Sequence, residues 1–133
     1  MANEDPKKIL LVDDEETFLL ATADLLKLNG FEIEKAHNAE DALELIISSH
    51  FDLIISDIKM PGNIDLNFIR ETRKIRKNVS IILITGYPEL RTAIEGIELS
   101  VGAYLVKPLE FKDLLFHIKK VLDKEKLIQQ IKN

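Results

Sequence analysis

Four stretches decide the fold: Ile9-Leu10-Leu11-Val12-Asp13-Asp14, Leu53-Ile54-Ile55-Ser56-Asp57, Ile81-Ile82-Leu83-Ile84-Thr85 and Tyr104-Leu105-Val106-Lys107-Pro108. Each is a short apolar run, rich in β-branched residues, that ends in a polar side chain. Continuous runs of this length predict strands buried on both faces. Phe31-Glu32-Ile33-Glu34 alternates apolar and polar instead, as an edge strand does. Helical periods lie between the runs. Phe18, Ala21, Leu25 and Leu28 form one stripe, closed by a helix stop at Asn29-Gly30. Asn38 is placed to cap a second helix that buries Ala42, Leu45 and Ile46. A third spans Leu66–Arg76. Pro88 suits the first position of a fourth, with Leu90, Ala93, Ile94 and Ile97 turned inward. A fifth starts near Glu110 and buries Phe111, Leu114, Leu115, Ile118 and Val121. Strand–helix alternation predicts an α/β fold, (βα)5, with a doubly wound parallel sheet, right-handed crossovers and helices on both faces.

Composition is consistent with this. The 133 residues fit one domain large enough for a normal core. Hydrophobic residues make up 46% and charged residues 31%, as in an ordinary globular protein. Without cysteine there is no disulfide framework, thiolate metal site or cysteine nucleophile. No apolar run reaches the length of a membrane span, and Met1 to Lys8 lacks the pattern of a signal peptide, so a cytoplasmic chain is expected. A net charge of −5 argues against direct binding of nucleic acid. The charge is uneven. Residues 1–57 hold 4 basic against 14 acidic side chains, so the acid gathers in one half. Such a concentration suits either a cation site or a solvated acidic face.

In open parallel sheets ligands sit beyond the carboxyl ends of the strands. Those ends carry Asp13, Asp14, Asp57, Thr85 and Lys107. Singly, each has an ordinary structural explanation: a helix cap, a turn residue, a surface lysine. Together they are complementary. Three converging carboxylates repel one another unless they take up a proton or a cation. A hard divalent ion such as Mg2+ suits that set, with a carbonyl, waters and a phosphate oxygen. A lysine and a hydroxyl can then serve phosphoryl oxygens, and a carboxylate can accept the phosphoryl group itself.

Asp13-Asp14 after an apolar strand, Asp57-Ile58-Lys59-Met60-Pro61-Gly62, Thr85-Gly86 and Tyr104-Leu105-Val106-Lys107-Pro108 resemble the response regulator receiver domain of two-component signalling. The likeness runs from about Lys8 to Val121, which implies a receiver over 8–122 and a helical extension or linker over 123–133. It also implies the flavodoxin-like strand order 2-1-3-4-5. By the same resemblance Asp57 is the phosphoacceptor, supplied by a histidine kinase or a histidine phosphotransfer protein. Mg2+ would be bound by Asp14, by Asp13 directly or through water, by Asp57, and by the backbone carbonyl of Lys59. Thr85 and Lys107 would contact the phosphoryl group. Thr85 and Tyr104 would switch the surface of the fourth helix, fifth strand and fifth helix. Lys107-Pro108 would be cis. The chain would be a signalling module with no turnover on a separate substrate, not an enzyme.

Two departures from the family pattern carry expectations. Asn63-Ile64-Asp65 replaces the usual methionine, aspartate and glycine, which predicts a changed path into the third helix. In Ser100-Val101-Gly102-Ala103 the small residues come two places late, which affects the end of the fourth helix. Lys59 and Tyr87 flank the acceptor, and their bulk predicts slow hydrolysis of an acyl phosphate. His37, His50 and His117 show no ligand spacing and read as surface histidines. The basic runs at Arg73–Lys77 and Lys119-Lys120 read as solvated helix faces. Leu127, Ile128 and Ile131 prolong an apolar pattern beyond residue 122; this suits a frayed helix end, a link to an unidentified output domain, or pairing with a second copy.

Other functions fit less well. A haloacid-dehalogenase-type phosphohydrolase needs a second aspartate two residues after the nucleophile, where Lys59 stands here. A nucleotide or flavin binder would want a glycine-rich phosphate loop, and the five glycines form none. A pseudo-receiver, using the fold only as an interaction surface, is the remaining alternative, against which all the acceptor-site residues are present.

Overall fold

The computed structural model describes residues 5–132. Residues 1–4 of the polar N-terminal stretch and residue 133 of the expected extension lie outside the described residues. The elements run β1 (Lys8–Val12), α1 (Glu16–Leu28), β2 (Glu32–Ala36), α2 (Ala39–Ser48), β3 (Leu53–Asp57), α3 (Asn67–Ile75), β4 (Ser80–Thr85), α4 (Leu90–Glu98), β5 (Ala103–Val106) and α5 (Phe111–Lys132). All neighbouring strands pair in parallel, in the order β2-β1-β3-β4-β5. The expected architecture and strand order are therefore present.

The sheet separates two cores because successive side chains alternate between its faces. Leu10, Val12, Ile54 and Leu83 pack with Ala42, Ile46, Phe68 and Ile69 of α2 and α3 on one face. Ile9, Leu11, Ile55 and Ile84 pack with Leu19, Ala23, Leu26, Leu114 and Ile118 of α1 and α5 on the other. Asn38 caps α2 as its spacing suggests, its Oδ1 accepting from the Asp41 amide at 2.8 Å. Gly30 ends α1 with φ +91°, and the amides of Gly30 and Phe31 bond back to Lys27 and Leu26. Among the described residues no helix is long and apolar enough to cross a membrane.

Three readings of side-chain direction are corrected. In α1 the buried stripe is Leu19, Thr22, Ala23 and Leu26, one position out of phase with the expected one; Leu25 and Leu28 are exposed. β5 is not buried on both faces: it forms the sheet's far edge, and Val106 is exposed. α4 begins at Leu90 after Glu89, so Pro88 precedes the helix rather than opening it. Its buried residues are Thr92 and Gly96, while Leu90, Ile94 and Ile97 face outward. The small side of α4 lies inward because the helix sits close to its neighbours. A Cβ on Gly96 would stand 3.1 Å from Val101 Cγ2.

Both departures from the family pattern keep a left-handed residue without glycine. Ser100 (φ +59°) follows the end of α4, where the amides of Ser100 and Val101 return to the carbonyls of Ile97 and Gly96. This is the same double bond pattern that Gly30 makes after α1. Asp65 takes φ +50° in the loop into α3. Asn63 fastens that loop: its Nδ2 donates to the carbonyls of Ile58 (2.7 Å) and Asp65 (3.2 Å), and its Oδ1 accepts from the Phe68 amide (3.0 Å). A side-chain staple thus does locally what a permissive backbone would otherwise do.

Candidate functional site

Parallel pairing carries the ends of β1, β3, β4 and β5 to one edge of the sheet. The carboxylates of Asp13, Asp14 and Asp57 converge there, each with an oxygen within 4.8 Å of the others. Asp13 is buried, Asp57 nearly so, and Asp14 is open to solvent. Short backbone bonds orient two of them. Asp13 Oδ1 accepts from the Glu15 amide at 2.9 Å, and Asp57 Oδ1 accepts from the Ile58 amide at 2.7 Å. The second oxygens face Lys107, whose Nζ lies 2.8 Å from Asp13 Oδ2 and 3.4 Å from Asp57 Oδ2. The ammonium also sits over the Phe18 ring, 4.4 Å from its centroid, which favours a cation. Lys107-Pro108 is cis.

The electrostatics follow from this crowding. Burial pushes the Asp57 carboxyl above its ordinary value, and the charge of Asp13 adds to the push. Lys107 and the Ile58 amide oppose them without cancelling them. Burial alone would lower the Lys107 ammonium; its bond to Asp13 and the charges of Asp13 and Asp57 outweigh burial and raise it. One ammonium thus only partly offsets three carboxylates. Three hard oxygen donors within 4.8 Å, one of them solvent-open, fit a divalent cation that keeps several waters, as Mg2+ does.

Thr85, fully buried at the end of β4, accepts from the Tyr87 amide through Oγ1 at 3.0 Å. Accepting that bond leaves the hydroxyl its own proton to donate. Tyr104 is half-buried on β5. Its hydroxyl lies 2.8 Å from Thr92 Oγ1 and accepts from the Glu89 amide at 3.2 Å, which ties it to the start of α4. The structure therefore brings together Asp13, Asp14, Asp57 and Lys107, with Thr85 ending the strand beside β3 and Tyr104 linked to α4.

Several participants carry no sequence signal. Phe18 reads as one more apolar helix residue, yet it faces the Lys107 ammonium. Glu89 reads as a surface acid, yet it pairs with Lys59 at 3.1 Å and Arg91 at 3.3 Å. Arg73 reads as part of a solvated basic run. Instead its guanidinium donates to the carbonyls of Val79 (2.6 Å), Leu99 (2.8 Å) and Ser100 (3.1 Å), joining the ends of α3 and α4 to the start of β4. Most of these partners lie far off in sequence, as Lys107 does from Phe18, Lys59 from Glu89, and Leu99 and Ser100 from Arg73.

Residues 9–119 match the family model of the response regulator receiver domain. Protein PetR of Rhodobacter capsulatus is 35% identical over 92% of this chain, which covers 51% of that protein. The chain spans about half or less of the length of curated relatives that it matches. A CheY-like receiver domain from Methanospirillum hungatei superposes with a TM-score of 0.88 at 33% identity, covering 91% of this chain and 97% of that one. The response regulator TrrA of Thermotoga maritima, solved in complex with Mg2+-BeF, superposes with a TM-score of 0.78 at 37% identity, covering 86% and 98%. A match over this much of the chain, on this strand order and with the acidic cluster at this sheet edge, makes the protein a member of the response regulator receiver domain family.

Proposed function

We propose that this chain accepts a phosphoryl group on Asp57 from a phosphohistidine and passes the event to its α4–β5–α5 surface. The observation that carries the reading is the arrangement of Asp13, Asp14 and Asp57 within 4.8 Å around one sheet edge, with Lys107 bridging two of them. Asp14, Asp13, Asp57 and the Lys59 backbone carbonyl would hold Mg2+. The bound ion offsets the charge of the carboxylates and of the incoming phosphoryl group.

The chain's own groups supply the rest. Asp57 Oδ1 is held by the Ile58 amide, so the carboxylate is aimed before a donor arrives. The carboxylate attacks phosphorus as the bond to the histidine nitrogen breaks, and the electron pair leaves with the imidazole. Lys107 already lies within reach of both Asp13 and Asp57, and a short movement exchanges a carboxylate for a phosphoryl oxygen. The Thr85 hydroxyl donates to another oxygen. Tyr104, bonded to Thr92 and Glu89, relays that movement to α4. The exposed stripe Leu90, Ile94 and Ile97, with Val106 on β5, provides an apolar surface whose position then changes. Asp13, Asp14, Thr85 and Lys107 act on the chain's own phosphoryl group and Tyr104 only relays the movement, so there is no turnover on a separate substrate.

The partner is a histidine kinase or phosphotransfer protein of the cytoplasm. The output lies either in a further domain reached through the helical extension over 123–133 or in a separate protein, and a second copy is a candidate partner for that extension. α5 runs unbroken to Lys132, with Leu127 and Ile131 exposed. Reductive trapping of the acyl phosphate with borohydride, followed by peptide mapping, tests the acceptor. Conversion of Asp57 to homoserine supports the proposal; labelling only at another residue would reject it.

A further inference from the structure

Above the acceptor edge the loop after β3 and the start of α4 are tied by four charges of alternating sign. Lys59 Nζ lies 3.1 Å from Glu89 Oε1, Glu89 Oε2 lies 3.3 Å from Arg91 Nη2, and Arg91 Nη2 lies 3.0 Å from Asp65 Oδ1. The β3–α3 loop contributes one cation and one anion, Glu89 stands just before α4, and Arg91 lies in its first turn. Lys59 stands two residues after Asp57, and Glu89 four residues after Thr85. The chain therefore crosses from the acceptor strand to the strand bearing the switch hydroxyl. The other end of α4 is fixed differently, by the Arg73 bonds to the carbonyls of Leu99 and Ser100, which do not lead towards Asp57.

We infer that the Lys59–Glu89–Arg91–Asp65 chain is a resting-state latch on α4, and that Glu89 is the positioning residue through which it opens. The inference rests on the receiver reading above. A phosphoryl group on Asp57 replaces the single carboxylate charge with nearly two on the phosphoryl oxygens, a net gain of about one negative charge near Lys59. That charge attracts the Lys59 ammonium and repels the Glu89 carboxylate, so both effects weaken their pair. Once Lys59 is drawn away, the start of α4 loses one of its ties to the β3–α3 loop while its far end stays held by Arg73. The coupling is reciprocal: whatever the phosphoryl group must break, prior removal makes easier.

Beryllofluoride with Mg2+ serves as the probe, titrated into the wild-type chain and into Glu89→Gln, Lys59→Met and the double variant. Pairs this exposed shift an equilibrium by about two- to fivefold. Glu89→Gln is therefore expected to bind the analogue about two- to fivefold more tightly, and to add nothing in the Lys59→Met background. A second measurement needs neither metal nor analogue. Amide hydrogen exchange at residues 90–93 should quicken in each single variant of the metal-free chain, and no further in the double. Unchanged or weaker binding by Glu89→Gln, or an equal gain with Lys59 already absent, would overturn the latch while leaving the receiver reading intact. A wild-type chain that binds no analogue would overturn both.

Discussion

Replacing Lys107 with methionine removes the charge while keeping a polarizable side chain over Phe18, so the variant isolates what the ammonium does. At an effective dielectric of about 20, attractions at 2.8 Å to Asp13 and 3.4 Å to Asp57 amount to roughly 6 and 5 kcal/mol. The repulsion between carboxylates no more than 4.8 Å apart is at least ~3 kcal/mol on the same footing. Desolvation of the ammonium cancels most of the attraction, and breaking a buried pair costs about 3–5 kcal/mol in general. Lys107 keeps 18% exposure, which places Lys107→Met near the lower end, at about 3 kcal/mol. For a chain of this size that is a fall in Tm of roughly 10 °C. Urea unfolding in EDTA near neutral pH measures it. The loss should shrink on adding Mg2+, which replaces the missing positive charge, and on acidification, because Asp57, already raised by burial, then takes up a proton. A variant as stable as the wild type in EDTA, or one that gains no more from Mg2+ than the wild type does, would refute the electrostatic account of the site.

Three further outcomes are expected. Asp57 has a raised folded-state pKa, so the folded chain holds that proton more tightly than the unfolded one. The charged carboxylate is then a cost above the raised pKa and is relieved as pH falls towards the unfolded value; Asp57→Asn should be the more stable form in EDTA near neutral pH, with the advantage shrinking on acidification in parallel melts. Arg73→Met strands carbonyls of Val79 and Leu99 that now accept at 2.6 and 2.8 Å, and should cost about 2–3 kcal/mol in urea unfolding while leaving the acceptor edge intact. Lys59→Asn removes bulk and a charge beside Asp57, and should speed loss of the phosphoryl group about tenfold, worth ~1.4 kcal/mol of barrier, when the phosphorylated chain is followed after removal of the donor.

Much of this molecule is legible in its sequence because the informative residues act locally. Four apolar runs with polar ends are enough to place Asp13, Asp57, Thr85 and Lys107 at one sheet edge, since parallel strands share a carboxyl end. The Asn38 cap and the Gly30 stop are equally local. What is not legible depends on packing. The stripe of α1 slips by one position because Leu19 and Leu26, rather than Phe18 and Leu25, meet the sheet. α4 is misread for a physical reason: its large apolar residues suggest an inward face, but the close approach at Gly96 and the Thr92–Tyr104 bond favour the small side. The surface so exposed is the one the proposed function assigns to signal output, and functional surfaces are where local rules are expected to fail. Ser100 and Asp65 show a further limit. A missing glycine suggests a missing left-handed turn, whereas the neighbouring bonds of Arg73 and Asn63 sustain it.

The central claim is a phosphoryl group on Asp57. Incubation of the chain with Mg2+ and a small phosphodonor, followed by intact-mass spectrometry, tests it most directly, with Asp57→Asn and an EDTA control alongside. The account predicts one phosphoryl adduct that needs Mg2+ and is lost in Asp57→Asn. An adduct that persists in the variant, or a folded wild-type chain that gains none from small donors or from a phosphorylated histidine kinase, would contradict it.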